Sequence, residues 1–275
     1  MPARYNGGLL CVPEGLKSVG FLQHGHAMTD PSPFDLPERR EPAFNVPAVV
    51  VALGAVLIAI HLVRYHVLSV PADNEVLVLF AFWPVRYVPE VLASGSAPGG
   101  LAADAWGFLS YAFLHGGTAH VLFNLLWMAT FGSALARRFG TARFLAFSAL
   151  CAIGGAAAHL ATHFGEAVPM IGASAAVSGQ MAGALRFVFE LGGPLGAIRR
   201  TDPGAYRIPA VPLLRSLTNP QVFGFMAVWF GINLLFGLWS APLTGEDASI
   251  AWQAHIGGFL AGLALFPLFD PVRRW

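Results

Sequence analysis

From residue 46 onward the chain alternates long apolar blocks with short polar connections rich in glycine and proline. A helix needs about 20 mostly apolar residues to cross a hydrocarbon core about 30 Å thick, and six blocks qualify. They cover residues 46–63, 117–136, 142–162, 174–191, 222–239 and 250–269. The pattern predicts an all-α, polytopic membrane protein with six transmembrane helices in one bundle. Residues 1–44 are polar and punctuated by proline and carry no signal-peptide pattern. They read as a tail ahead of a membrane domain over residues 45–275.

Composition agrees with this reading. Of 275 residues, 56% belong to the hydrophobic set and 11% are charged, against about 45–50% and about 25% in soluble domains. The net charge is +1, and the basic residues are almost all arginines, scattered in ones and twos with no basic stretch interleaved with aromatics. Nucleic-acid binding therefore has no support. Cys11 and Cys151 suggest neither a disulfide framework nor a metal-ligand spacing, and no cofactor or metal is called for.

The charges also orient the spans. Arg39 and Arg40, then Arg137, Arg138 and Arg143, then Arg199, Arg200, Arg207 and Arg215, and finally Arg273 and Arg274 all fall on one side of the predicted bundle. The other side carries Asp73, Glu75, Glu90, Asp104, Glu166, Glu246 and Asp247 against Arg64 and Arg86 alone. Positive residues stay inside, so both termini are expected in the cytoplasm. The stretch 68–106 is too broken for a span and reads as an ordered external loop, with Trp83, Arg86 and Tyr87 suited to the headgroup boundary. The Pro- and Arg-rich stretch 192–219 reads as a solvated cytoplasmic tether.

Polar side chains inside spans cost free energy, so they usually face a cavity or a partner. The second span opens with HGGTAHVLFN, which puts His115, His120 and Asn124 at its external end, the last two on one helical face. Pro169 and Gly172 break the helix just before Ser174, setting a helix N-terminus beside that serine. The sixth span holds His255 near its external start, with Gly258 and Gly262 forming G-x-x-x-G below it. Ser174, Ser178 and Ala182 form a small-residue stripe on the fourth span, so these two helices are expected to pack closely. Alone, a membrane histidine or G-x-x-x-G is more often packing than chemistry. Together the features put a hydroxyl, an imidazole and two hydrogen-bond donors on three spans near one depth.

In that order, H-x-x-x-x-H-x-x-x-N, G-x-S and A-H-x-x-G-x-x-x-G resemble the signature of the rhomboid intramembrane proteases, from about Trp83 to the C-terminus. The resemblance implies a rhomboid-like bundle, Ser174 as nucleophile, His255 as base, Asn124 with His120 near the oxyanion, and His115 supporting a loop. Two departures stand out. The usual G-x-S-G reads here Gly172, Ala173, Ser174, Ala175, and the usual Trp-Arg pair appears only as Trp83-Pro84-Val85-Arg86. No carboxylate lies in the external half of any span, so a Ser-His dyad is expected, with His255 held by an aromatic or small residue of the fourth span.

Substrates would be transmembrane protein segments entering laterally from the lipid bilayer. Phe223, Phe225, Trp229 and Phe230 of the fifth span are a candidate gate, or equally lipid-facing bulk. Two rivals are a catalytically inactive relative that binds transmembrane segments as a chaperone or adaptor, and a transporter using the histidines as a relay. Retention of both Ser174 and His255 disfavours the first. No evident internal repeat and no intramembrane carboxylates disfavour the second. The sequence assigns no oligomeric state.

Overall fold

The computed structural model describes residues 45–196, 198, 202–244 and 251–272, with the backbone alone for 236–244. The tail with Cys11, Arg39 and Arg40 lies outside the described residues, as do Arg199, Arg200, Glu246, Asp247, Arg273 and Arg274. Among the described residues there are α-helices, short 3-10 turns and a single isolated bridge, Phe82 with Met170, but no strand.

Helix α1 spans Ala48–His66. The predicted external loop is ordered: α2 Val70–Phe80, a 3-10 turn Pro84–Tyr87, α3 Pro89–Ser94 and α4 Gly100–Ser110. The second span is a composite of α5 Thr118–Trp127, a π-helical turn Met128–Gly132 and α6 Ser133–Phe139. Gly132, the last residue of the wide turn, lies against Gln180, where a Cβ would stand 2.7 Å from its Oε1. Then follow α7 Thr141–Thr162, α8 Ser174–Ala184, α9 Leu213–Leu217, α10 Pro220–Thr244 and α11 Trp252–Phe269.

Four predicted spans are helices long and apolar enough to cross a membrane: α1, the composite Thr118–Phe139, α7 and α11. The fifth lies within α10. The all-α, multi-pass membrane bundle holds, with one difference. The stretch expected as a span over 174–191 is an α-helix only to Ala184, about 16 Å at 1.5 Å per residue, and irregular turns carry the chain onward. Residues 175–188 are all buried, so the surface of this central helix meets protein rather than lipid. Just past its C-terminal end Arg186 donates to the Val211 carbonyl from Nε at 3.0 Å and from Nη2 at 2.7 Å.

That contact also corrects the reading of 192–219 as a solvated tether. Where described, this stretch docks against the bundle. Arg138 donates to the carbonyls of Tyr206 and Ile208 at 2.9 and 2.8 Å, and its fork binds the Asp270 carboxylate at 2.8 and 2.9 Å. Phe187 and Phe266 lie against the same guanidinium, so the charge is held by a carboxylate, carbonyls and ring faces together.

Glycines set the helix spacing. Side chains on Gly258 and Gly262 of α11 would run into the backbone of α8 at Ala175 and Gly179, and one on Gly154 would stand 2.6 Å from Ala261 Cβ. Close backbone approach of α8 to α11 was expected, but the stripe used is Ala175 and Gly179, one residue further along than Ser174, Ser178 and Ala182. That one-residue rotation, about 100° around the helix, turns Ser174 to the edge of the contact, where its hydroxyl faces open space as well as its partner.

Candidate active site

The backbone before Ser174 leaves helical geometry from His163 to Ala173, and the segment between α1 and α5 satisfies part of it. Phe82 and Met170 exchange backbone hydrogen bonds at 3.0 and 2.9 Å, Val85 N donates to Glu166 O at 3.0 Å, and Gly172 N donates to Tyr111 O at 3.0 Å. Tyr111 is itself anchored, its hydroxyl donating to Ala152 O at 2.7 Å. The loop is fixed in turn by ion pairs. Arg86 binds Asp104 at 2.7 Å and the carbonyl of Pro98 at 2.8 Å, while Arg64 binds Asp73 at 2.7 Å. The two cations on the acid-rich side are thus each committed to a carboxylate.

Gly172 has φ +119, a region that L side chains rarely adopt. A Cβ there would stand 2.6 Å from His120 Nε2 and 3.6 Å from Ser174 Oγ, so the glycine leaves open a gap bordered by both. Ser174 is the first residue of α8, and no side chain caps that helix. Its first N–H groups therefore remain available to a ligand or to solvent. Ala175, where the motif usually has glycine, is helical and buried, so the replacement demands no left-handed backbone.

His255 lies in the first turn of α11 and its Nε2 is 2.7 Å from Ser174 Oγ. Ser178 Oγ, one turn along the fourth span, donates to the carbonyl of Ser174 in its own helix at 2.7 Å. The other imidazole nitrogen, Nδ1, instead meets Oδ1 of Asn233 on α10. The sequence reading missed Asn233, although it is the sole amide or ionisable side chain in 222–239.

His120 stands in the first turn of α5. Gly116 N–H donates to its Nδ1 at 3.4 Å, which leaves the ring proton on Nε2, the nitrogen nearest the gap over Gly172. Asn124 is buried on the same face and donates from Nδ2 to His120 O at 3.0 Å. Among the described residues, no hydrogen bond joins Asn124 to Ser174 or His255. His115 packs edge-on against His120, ring centroids 5.0 Å apart. Its carbonyl accepts from Arg64 at 3.1 Å, and Tyr65 donates to Gly116 O, so α1 clamps the turn that presents His120.

The Rhomboid domain family model matches residues 102–198 and 204–270, more than half of the chain, with His115, His120, Asn124, Gly172, Ser174, Asn233 and His255 inside the match. The chain belongs to the rhomboid family. Similar proteins include the rhomboid protease GlpG of Enterobacter sp. (strain 638), 26% identical over 209 residues that make up 76% of this chain and 60% of that protein. Rhomboid protease GlpG of Klebsiella pneumoniae (strain 342) is 27% identical over 194 residues, 70% of this chain and 54% of that protein. GlpG of Salmonella newport (strain SL254) is 26% identical over 216 residues, 78% and 60%. The chain thus spans somewhat over half the length of these relatives. As in the sequence reading, this rhomboid is a multi-pass membrane protein.

Proposed function

We propose that this rhomboid is an intramembrane serine endopeptidase that cleaves transmembrane segments of membrane proteins. The observation that carries the reading is the 2.7 Å approach of His255 Nε2 to Ser174 Oγ at the uncapped start of a helix. That distance lies within the roughly 2.6–3.2 Å over which a base can take the hydroxyl proton. Ser174 Oγ attacks the scissile carbonyl carbon as His255 accepts its proton. Collapse of the tetrahedral intermediate breaks the C–N bond, and His255 returns the proton to the leaving amine. Water, deprotonated by the same imidazole, then releases the acyl group and restores Ser174.

Negative charge on the former carbonyl oxygen develops beside the gap over Gly172. The Ser174 N–H, the His120 Nε2–H and the second amide proton of Asn124 are the donors for it, aided by the positive end of α8. Water reaches the site through the non-helical stretch before Ser174, since such backbone is tolerated at membrane depth where it lines a hydrated cavity. Relatives named as proteases and the retention of both Ser174 and His255 favour catalysis over passive binding of transmembrane segments. On this reading the protein sits in a bacterial inner membrane with both termini, including the 1–44 tail, in the cytoplasm, as the arginine asymmetry supports. In sealed vesicles Arg143→Cys should then label only from inside and Glu90→Cys from outside.

The deciding experiment incubates purified protein with a panel of model transmembrane substrates and, separately, with a fluorophosphonate probe. Wild type should cleave and label at Ser174, Ser174→Ala should do neither, and His255→Ala should label far more slowly. Proteolysis retained in Ser174→Ala would displace the nucleophile.

A further inference from the structure

Resting on that reading, we propose that Asn233 of α10 is a positioning residue that completes a Ser-His-Asn arrangement by fixing the tautomer and ring orientation of His255.

An asparagine inside an apolar helix is expensive unless its amide is satisfied. Here both ends of the amide are engaged. Nδ2 donates to Trp229 O, one turn back, at 2.8 Å, and Oδ1 faces His255 Nδ1. The first contact decides which way the amide points. Turned over, it would set its oxygen against the Trp229 carbonyl, acceptor against acceptor. With Oδ1 toward the ring, His255 Nδ1 must carry the proton, because a bare nitrogen lone pair would meet an oxygen lone pair. A neutral imidazole holds one proton, so Nε2 is left as the acceptor, and Nε2 is the atom 2.7 Å from Ser174 Oγ. The opposite tautomer would offer Ser174 a donor and could not take its proton.

The same bond gains strength during the reaction, since a charged imidazolium donates more strongly than a neutral ring. It also comes from a third helix. Ser174 and His255 sit on α8 and α11, pressed together through Gly258 and Gly262, whereas Asn233 arrives from α10, which meets α11 through Trp229 and Phe230 stacked around Phe259 at 5.2 and 5.5 Å. Phe223, Val228, Ile232, Leu234 and Leu235 of α10 are exposed. The base is therefore aligned only while α10 lies against α11.

The test compares wild type, Asn233→Leu, Asn233→Asp and Ser174→Ala, each purified in detergent and assayed for kcat, KM, fluorophosphonate labelling rate and melting temperature. Leucine keeps the volume and removes the acceptor, whereas aspartate keeps an acceptor in reach of Nδ1. Asn233→Leu should lose about 10- to 100-fold in kcat and in labelling rate with KM little changed, the scale of one hydrogen bond to a charged group. Asn233→Asp should recover most of both rates. Full turnover in Asn233→Leu would overturn the assignment, as would equal loss in the leucine and aspartate variants accompanied by lowered melting temperatures. If wild type neither labels nor cleaves, the proteolytic reading falls and this one with it; a working wild type beside an unimpaired leucine variant removes this one alone.

Discussion

Gly258→Ala tests whether the hydroxyl and the imidazole are brought together by helix packing. Gly258 lies one turn below His255, and a methyl added there would stand 2.9 Å from Ala175 Cα and closer still to the Ala175 carbonyl. Carbon atoms in comfortable contact are about 3.5–4.0 Å apart, so α11 must retreat from α8 by about 1 Å. The contact is with backbone on both sides, and neither helix has a side chain that can swing aside. A shift of that size carries the 2.7 Å distance between His255 Nε2 and Ser174 Oγ beyond hydrogen-bond reach. Misplacement of about 1 Å costs on the order of 100-fold in rate. The assay is kcat on a transmembrane substrate together with the fluorophosphonate labelling rate, both normalised to folded protein from a melting curve. Gly231→Ala on α10 is the control, because nothing lies within 4 Å of a methyl there, and it should behave as wild type. Wild-type turnover and labelling in folded Gly258→Ala would refute the claim that this packing sets the dyad distance.

Other outcomes follow from the surroundings of the dyad. Gly172→Ala combines a φ of +119 with a methyl 2.6 Å from His120 Nε2 and should lower kcat by about 10²–10³, the cost of losing one oxyanion donor; steady-state kinetics on the folded variant checks it. Arg86→Ala leaves Asp104 as a nearly buried, uncompensated carboxylate and should destabilise the protein by about 3 kcal/mol, read as a fall in melting temperature that Asp104→Ala in the same chain largely reverses. Burial first, then the neighbouring His120 and His61, holds the His115 imidazole down at about 3 from its ordinary 6.5. The unfolded chain takes up that proton and the folded one resists it, so stability present above about pH 6.5 is lost as pH falls toward 3, by at most about 1.4 kcal/mol per pH unit. Melting curves between pH 7 and 4 should show this contribution, and His115→Phe should make the slope shallower.

Much of the site was legible because polar residues are rare in an apolar chain. His120, Asn124 and His255 stood out by their cost, and Ser174 by the helix break before it. The same cost argument reaches Asn233, but an isolated Asn in W-F-G-I-N-L-L-F belongs to no spaced motif. The small-residue stripe on α8 was misplaced by one position, because in a helix of Ser, Ala and Gly nearly every face is small, and only the partner backbone selects Ala175 and Gly179. The stretch 192–219 looked solvated because its Arg and Pro content hides the carbonyls of Tyr206, Ile208 and Val211, which the buried Arg138 and Arg186 bind.

Local rules acting along the chain were enough for the class of the protein. Apolar length determines membrane helices, because backbone groups in lipid must bond within the segment, and the linear order of His120, Asn124, Ser174 and His255 determines which residues can meet. Tertiary structure alone decided how they meet. The length of α8 depends on its enclosure by neighbours, the aim of His120 on a clamp from α1, and the proton on His255 Nδ1 on an amide oxygen 22 residues away on another helix. Each of these is set by a contact between segments distant in sequence, whose geometry no periodicity or spacing encodes.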